Sequence, residues 1–162
     1  MEAKSRRLVA VRNIYWKIRE IVEDNGYIAS EYSISLAYPN NESDIRETPM
    51  IAIELGYSDG KPLQLGSTDR LRSILFIYII GNSRSQVEEI SSLLWDEMNS
   101  QHYTMYDLSA QSPTAVGDYS GLVDAGKLIF SKGEIVPSDV ITTKDEKLMY
   151  ESVTRFSVEI GG

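Results

Sequence analysis

Hydrophobic residues recur every three or four positions along the first part of the chain. This spacing places them on one side of an α-helix, and charged residues occupy the other side. Asn25 and Gly26 follow, and glycine readily adopts the left-handed conformation that ends many helices. The sequence therefore predicts a helix over residues 5–25. Its apolar stripe comprises Leu8, Val11, Ile14, Tyr15, Ile18, Ile21 and Val22.

Alternating apolar and polar residues come next, and this pattern is typical of β-strands. It predicts strands over residues 30–37 and 50–55. A third strand is predicted over residues 69–80, and it ends in a continuous apolar run from Ile74 to Ile80. A strand that is apolar on both faces is expected to lie centrally, covered on both sides by helices or on one side by a second subunit.

A second helix is indicated after this strand. Gly81 and Asn82 interrupt the strand pattern, and Ser85 with Glu88 matches a capping box. The helix is expected to end near Asn99. Its apolar stripe comprises Val87, Ile90, Leu94 and Met98.

The last third of the chain predicts two strands separated by a long connection. A short strand is expected over residues 103–108 and the final strand over residues 148–160. Residues 109–146 carry several glycines and prolines and predict an irregular loop or arm. A connection of this length is uncommon in a compact domain and is often functional.

These elements predict one α+β domain over residues 1–162. Two main helices pack against a mostly antiparallel sheet of about four to five strands, and the long irregular loop precedes the final strand.

Composition narrows the class of protein. The chain has no cysteine, which excludes disulfides, a thiolate nucleophile and cysteine-based zinc sites. The formal net charge is −8, and tight binding to a nucleic-acid backbone requires a cationic surface instead. The N-terminal segment is charged every few residues, and the longest apolar run is too short to cross a bilayer. We expect a soluble intracellular protein that binds no membrane.

Catalytic chemistry is not indicated. Residues 56–60 match G-x-S-x-G formally, but turn-forming residues follow Ser58 where a nucleophile elbow requires a helix. His102 is the one histidine, and its position after the second helix suits a helix-end or solvent contact. The acidic residues form no recognisable metal-binding motif. We therefore expect no enzymatic activity, no cofactor and no metal.

Four stretches of the chain together carry a family resemblance. They are TPMIAIELG at residues 48–56, DRLRSILFIYIIGNSRSQVEEISSLL at 69–94, YTMYDLS at 103–109 and YESVTRFSVEI at 150–160. Their order resembles that of the tail terminator (tail completion or neck) proteins of tailed bacteriophages. In those proteins a helix and a strand pair precede a long strand, a Gly/Ser break and a helix rich in Glu and Leu.

This resemblance implies a structural virion protein without enzymatic activity. It implies a hexameric ring in the tail–neck region, assembled in the host bacterial cytoplasm. The ring would cap the tail tube and contact tube proteins, sheath proteins where the tail has a sheath, and a head connector or stopper protein. DNA would only pass through its lumen, which an acidic inner surface suits.

The loop at residues 56–68 and the segment 109–126 are the expected contact regions for neighbouring subunits or partners. The candidate contact residues are Tyr57, Ser58, Asp59, Lys61, Gln64, Ser112, Pro113, Asp118 and Tyr119. Two alternatives remain open at this point. One is another head–tail, neck or baseplate component, and the other is a small ligand-binding or enzymatic α+β domain. Stoichiometry separates the classes, because a sixfold ring fits only the assembly proteins.

Overall fold

The computed structural model of the protein describes residues 3–39, 49–56, 71–142 and 148–161. Two helices and six strands occur within these ranges. In chain order they are α1 (Ala3–Asp24), β1 (Ser33–Ser35), β2 (Met50–Leu55), β3 (Leu71–Gly81), α2 (Arg84–Met98), β4 (His102–Tyr106), β5 (Asp124–Thr142) and β6 (Leu148–Gly161). The bounds of α1, β2, β3, α2 and β6 agree closely with the sequence prediction.

The six strands form one sheet in the order β1-β2-β3-β6-β5-β4. β1 runs parallel to β2, and the other neighbouring pairs are antiparallel. The sheet is curled, so that α1 contacts β2 near one edge and β4 at the other. The predicted α+β class is confirmed, with six strands where about four to five were expected.

Both helices pack on one face of the sheet, which we call the inner face. Alternate residues of β3 point into this core, and Leu75, Ile77 and Ile79 are fully buried there. Ile14 of α1 and Leu94 of α2 meet them and are also fully buried. Each such side chain contributes about 1.5–3 kcal/mol by leaving water. The inner face therefore holds the fold together.

The opposite, outer face of the sheet carries no helix in the described part of the chain. Ile74 of β3 points to this face and is 44% exposed, and Phe76 and Tyr78 are partly exposed. The central position of β3 is confirmed, but helices cover one of its two apolar faces and leave the other open. A small apolar cluster covers one end of the outer face and comprises Met50, Ile80, Met149 and the partly buried Tyr38.

A long strand, β5, lies where the sequence predicted an irregular loop. Residues 124–142 form a continuous strand, so the predicted arm over 109–146 is wrong for this part of its length, and residues 143–146 lie outside the described ranges. The strand was missed because Gly133 and Pro137 normally interrupt strands. Both lie at register shifts between β5 and β6. Bulges of this kind tolerate glycine and proline within a sheet.

β1 is shorter than predicted, with three residues in place of the eight expected over 30–37. The Ser35 hydroxyl donates to the Ala37 carbonyl at 2.9 Å and accepts from the Ala37 amide at 3.3 Å. Such side-chain turns compete with strand pairing, which ends β1 at this serine.

The N-cap of α2 is also corrected. Ser83 occupies this position in an extended conformation, and its hydroxyl accepts from the Gln86 amide at 3.4 Å. The predicted cap, Ser85, lies within the first turn of the helix. Ser83 and Gln86 have the same S-x-x-Q spacing as a capping box, so the pattern was assigned two residues too late.

Candidate functional site

Five of the nine predicted contact residues lie outside the described residues, and the G-x-S-x-G match lies there too except for its first glycine. The five are Tyr57, Ser58, Asp59, Lys61 and Gln64. The other four, Ser112, Pro113, Asp118 and Tyr119, lie in the connection between β4 and β5. Ser112 lines one surface groove, and Tyr119 lines a separate cavity.

Tyr119 anchors the connection to the body of the protein. Its ring stacks on Tyr106 of β4, with the centroids 4.7 Å apart and the planes 6° from parallel. Its hydroxyl donates to Glu20 of α1 at 3.1 Å. Burial, with the neighbouring Glu20 carboxylate, raises the pKa of Tyr119 above its ordinary value. Tyr119 is thus partly buried, and its hydroxyl is hydrogen-bonded within the chain.

Asp118 shapes the loop rather than pointing freely outward. Its carboxylate accepts from the Ser120 amide at 3.1 Å and from the Ser120 hydroxyl at 2.6 Å. These hydrogen bonds lower the pKa of Asp118, because they favour the charged form. Pro113 is buried, and Ser112 is exposed. Ser112 and Asp118 are therefore the two of the four that lie at an open surface.

Asn13 is a site residue that the sequence pattern missed. The predicted stripe of α1 included Leu8, but Leu8 is 49% exposed and Asn13 is only 5% exposed. The Asn13 amide donates to the Tyr106 carbonyl at 2.8 Å and accepts from the Tyr106 amide at 2.9 Å. It also donates to the carbonyl of Val9 at 2.8 Å. A side-chain amide thus takes the place of a neighbouring strand beside β4.

A cavity of about 350 Å³ lies between α1, β4 and the connection that follows. We call it the tyrosine cavity, and Lys17, Glu20, Tyr103, Tyr106 and Tyr119 are among its lining residues. The Lys17 ammonium lies 4.4 Å from the centre of the Tyr103 ring and 2.9 Å from a Glu20 carboxylate oxygen. The polar groups that line the tyrosine cavity therefore mainly bind one another.

A larger open groove of about 520 Å³ runs beside α1. Its floor is formed by Arg12, Tyr15 and Trp16, one side by Leu36 after β1, and the other by residues 108–112 after β4. We call it the α1 groove. It lies where the two edges of the curled sheet approach each other. No local pattern could predict it, because it depends on three segments that are distant in sequence.

Arg12 holds one wall of the α1 groove in place. Its guanidinium donates to the carbonyl of Leu108 at 2.8 Å and to that of Ser109 at 3.2 Å. Tyr15 and Trp16 lie edge to face beside it, with ring centroids 5.5 Å apart. Among its described lining residues, the groove therefore presents aromatic surface, one hydrogen-bonded cation and no carboxylate.

Two further findings concern the described residues only. No group of three or more His, Cys, Asp or Glu side chains is arranged to hold a metal ion. No helix in the same part of the chain is both long and apolar enough to span a membrane.

In the comparisons with known proteins, no family model matches this sequence, and no curated protein matches it significantly.

Proposed function

We propose that this protein is a structural subunit of the tail–neck region of a tailed bacteriophage. Six copies would form a ring that caps the tail tube and joins it to the head connector. The main support for the proposal is the group of apolar side chains that stay exposed on the outer face of the sheet. Ile74, at 44% exposure, lies beside the partly exposed Phe76 and Tyr78 on a sheet face that no helix of the described ranges covers. Exposed aliphatic and aromatic side chains that lie together on a sheet face favour a protein contact.

The order of elements supports the same class. A leading helix, a strand pair, a long central strand, a helix and a closing strand follow one another as the family resemblance implies. The net charge of −8 suits a ring through which DNA passes without being held. Another head–tail, neck or baseplate component would share these features, and its position in the particle distinguishes it.

Light scattering of the purified protein, with negative-stain imaging of the same sample and of assembled phage particles, tests the proposal. We expect a mass six times that of the 18.2 kDa chain, or rings at the junction of tail and head. Rings elsewhere in the particle would favour another assembly component. A strict monomer or dimer that is absent from virions would refute the assembly class.

The tyrosine cavity supports a second candidate function, the binding of a small molecule. Its volume of about 350 Å³ lies in the range of small-ligand sites, about 300–1,000 Å³. The assembly function is favoured, because Lys17 already pairs with Glu20 and Tyr119 already stacks on Tyr106. A library screen by thermal shift, repeated with Tyr119→Ala, tests the ligand-binding function. A ligand that stabilises the native chain and not the variant would establish it.

A further inference from the structure

Part of the connection between β4 and β5 forms a wall of the tyrosine cavity. Gly117 and Tyr119 in this part line the cavity. The connection begins and ends at one place, because the amide of Asp107 donates to the carbonyl of Val123 at 2.8 Å. A loop whose ends meet in this way can move without displacing the strands that it joins. We call residues 114–121 the lid.

The lid has a shape of its own. The Asp118 amide donates to the Ala115 carbonyl at 3.1 Å, and the Asp118 carboxylate accepts from Ser120. Six of its eight residues are exposed, and the other two, Val116 and Tyr119, are partly buried. Since these hydrogen bonds lie within the lid, they can persist when the lid leaves the body of the protein. The lid can therefore move as one unit.

Two glycines flank the tyrosine of the lid. Gly117 has a φ of 80° and Gly121 a φ of 77°, and glycine adopts such angles without the strain that other residues meet. They lie two residues before and two residues after Tyr119. Backbone rotation at these positions would carry the Tyr119 side chain toward the body of the protein or away from it.

Tyr119 joins the lid to both neighbouring elements. Its ring stacks on Tyr106 of β4 at 4.7 Å between centroids, and its hydroxyl donates to Glu20 of α1 at 3.1 Å. A stacked aromatic pair and a hydrogen bond to a carboxylate are each modest interactions. Their combined strength suits a contact that holds the lid closed and still breaks reversibly.

The lid lies across the cavity from an apolar wall. Leu128 and Phe130 of β5 form this wall and are only 2% and 1% exposed. The Lys17–Glu20 ion pair lies between this wall and the lid among the lining residues. Movement of the lid would therefore open a route from solvent to side chains that are otherwise buried.

We infer that the lid opens and closes over the tyrosine cavity, and that the contacts of Tyr119 with Tyr106 and Glu20 hold it closed. The open form is expected to be a minor one, about 0.1–10% of chains. This inference goes beyond the proposed ring and does not depend on it, because every contact involved lies within one chain.

Thiol labelling measures access to the apolar wall, because the chain has no cysteine of its own. Leu128→Cys is treated with a small aromatic disulfide reagent, alone and in combination with Tyr119→Ala. Since the rate follows the fraction of open lids, Tyr119→Ala is expected to raise it at least about tenfold through loss of the stacking and the hydrogen bond. An unchanged rate would overturn the inference.

Ile77→Cys separates lid opening from unfolding of the whole chain. Ile77 is fully buried in the core and does not line the cavity, so its labelling requires unfolding. Leu128→Cys is expected to react at least about tenfold faster than Ile77→Cys and to depend less on low concentrations of urea, since lid opening exposes less surface. Equal rates with equal urea dependence would overturn the inference.

Two further substitutions, each combined with Leu128→Cys, define the role of Tyr119. Tyr119→Phe keeps the ring and loses the hydrogen bond to Glu20, so it is expected to raise the labelling rate about three- to tenfold. Ser120→Ala is the matched control within the lid, and its rate is expected to stay within about twofold of the native lid. An effect of Ser120→Ala as large as that of Tyr119→Ala would overturn the role of Tyr119.

Limited proteolysis provides a second measurement that needs no cysteine. Thermolysin cleaves before apolar residues, and the lid contains Val116. Cleavage in the lid is expected to precede cleavage elsewhere and to be about tenfold faster in Tyr119→Ala than in the native chain, because a protease cuts only the released segment. Lid cleavage at the native rate in Tyr119→Ala would overturn the inference, even if Leu128→Cys fails to fold.

Discussion

Replacing Asn13 tests whether a side chain completes the edge of the sheet. In Asn13→Ala the backbone amide and carbonyl of Tyr106 lose their partner, and the Val9 carbonyl loses a second donor. Each orphaned buried group costs about 1–3 kcal/mol. Tyr106 is only partly buried, so water can compensate in part. We expect a loss of about 2–4 kcal/mol in the free energy of unfolding, or about 5–15 °C in Tm.

The charged variant Asn13→Asp sharpens the test. It keeps an acceptor for the Tyr106 amide but turns its second oxygen toward the carbonyls of Tyr106 and Val9. This environment would raise the pKa of the carboxyl in the folded state, so the penalty is present above that pKa and fades as pH falls through it. Relative to Asn13→Ala, the Asp variant is expected to be less stable at pH 7 and to recover toward pH 4.

Chemical denaturation by guanidinium, followed by circular dichroism, measures both effects. Asn25→Ala is the matched control, since the Asn25 amide donates to a single carbonyl at the exposed end of α1. It is expected to stay within about 0.5 kcal/mol of the native chain. An Asn13→Ala variant equally close to the native chain would refute the idea that this amide replaces a strand.

Three more predictions follow from the fold. Gly133→Ala is expected to cost about 1–3 kcal/mol in a denaturant titration, because the added Cβ would lie within 2.8 Å of three side-chain atoms. Ser83→Ala is expected to cost about 1 kcal/mol in the same assay, whereas Ser85→Ala is expected to cost less than about 0.5 kcal/mol. The reverse order would favour Ser85 as the N-cap. Burial raises the pKa of Tyr38 and Tyr119 above that of free tyrosine, so stability is expected to fall as pH rises beyond about 10. Phenylalanine at both positions should flatten that fall in thermal unfolding measured from pH 9 to 11, and an unchanged slope would refute the assignment.

Elements were predicted best where the hydrophobic pattern of a segment reflected the way that the segment packs. The alternate buried residues of β3 and the periodicity of α2 both reflect direct packing on the inner face, and both elements were predicted at nearly their observed bounds. β5 was missed because its bulges permit a glycine and a proline that local rules assign to loops.

The candidate sites were less predictable, since they depend on contacts across the chain. Asn13 interrupts an apolar stripe and gave no signal by itself, yet it joins α1 to a strand more than 90 positions away. The α1 groove depends on Leu36 approaching residues 108–112, which spacing along the sequence cannot show. Ser112 was selected as a contact residue and does border this groove, whereas Pro113 beside it is buried.

The bulge in β5 divides the strand into two parts with different neighbouring strands. Lys132 adopts a left-handed conformation there, with φ of 53°, and the register with β6 shifts at the same point. Within the described ranges, β5 has a neighbouring strand on each side before the bulge and β6 alone after it. Amide protons that point outward beyond residue 134 should therefore exchange with solvent rapidly in an isolated chain. Amides before the bulge should keep slow exchange, so the far part of β5 can open without loosening the core of the chain.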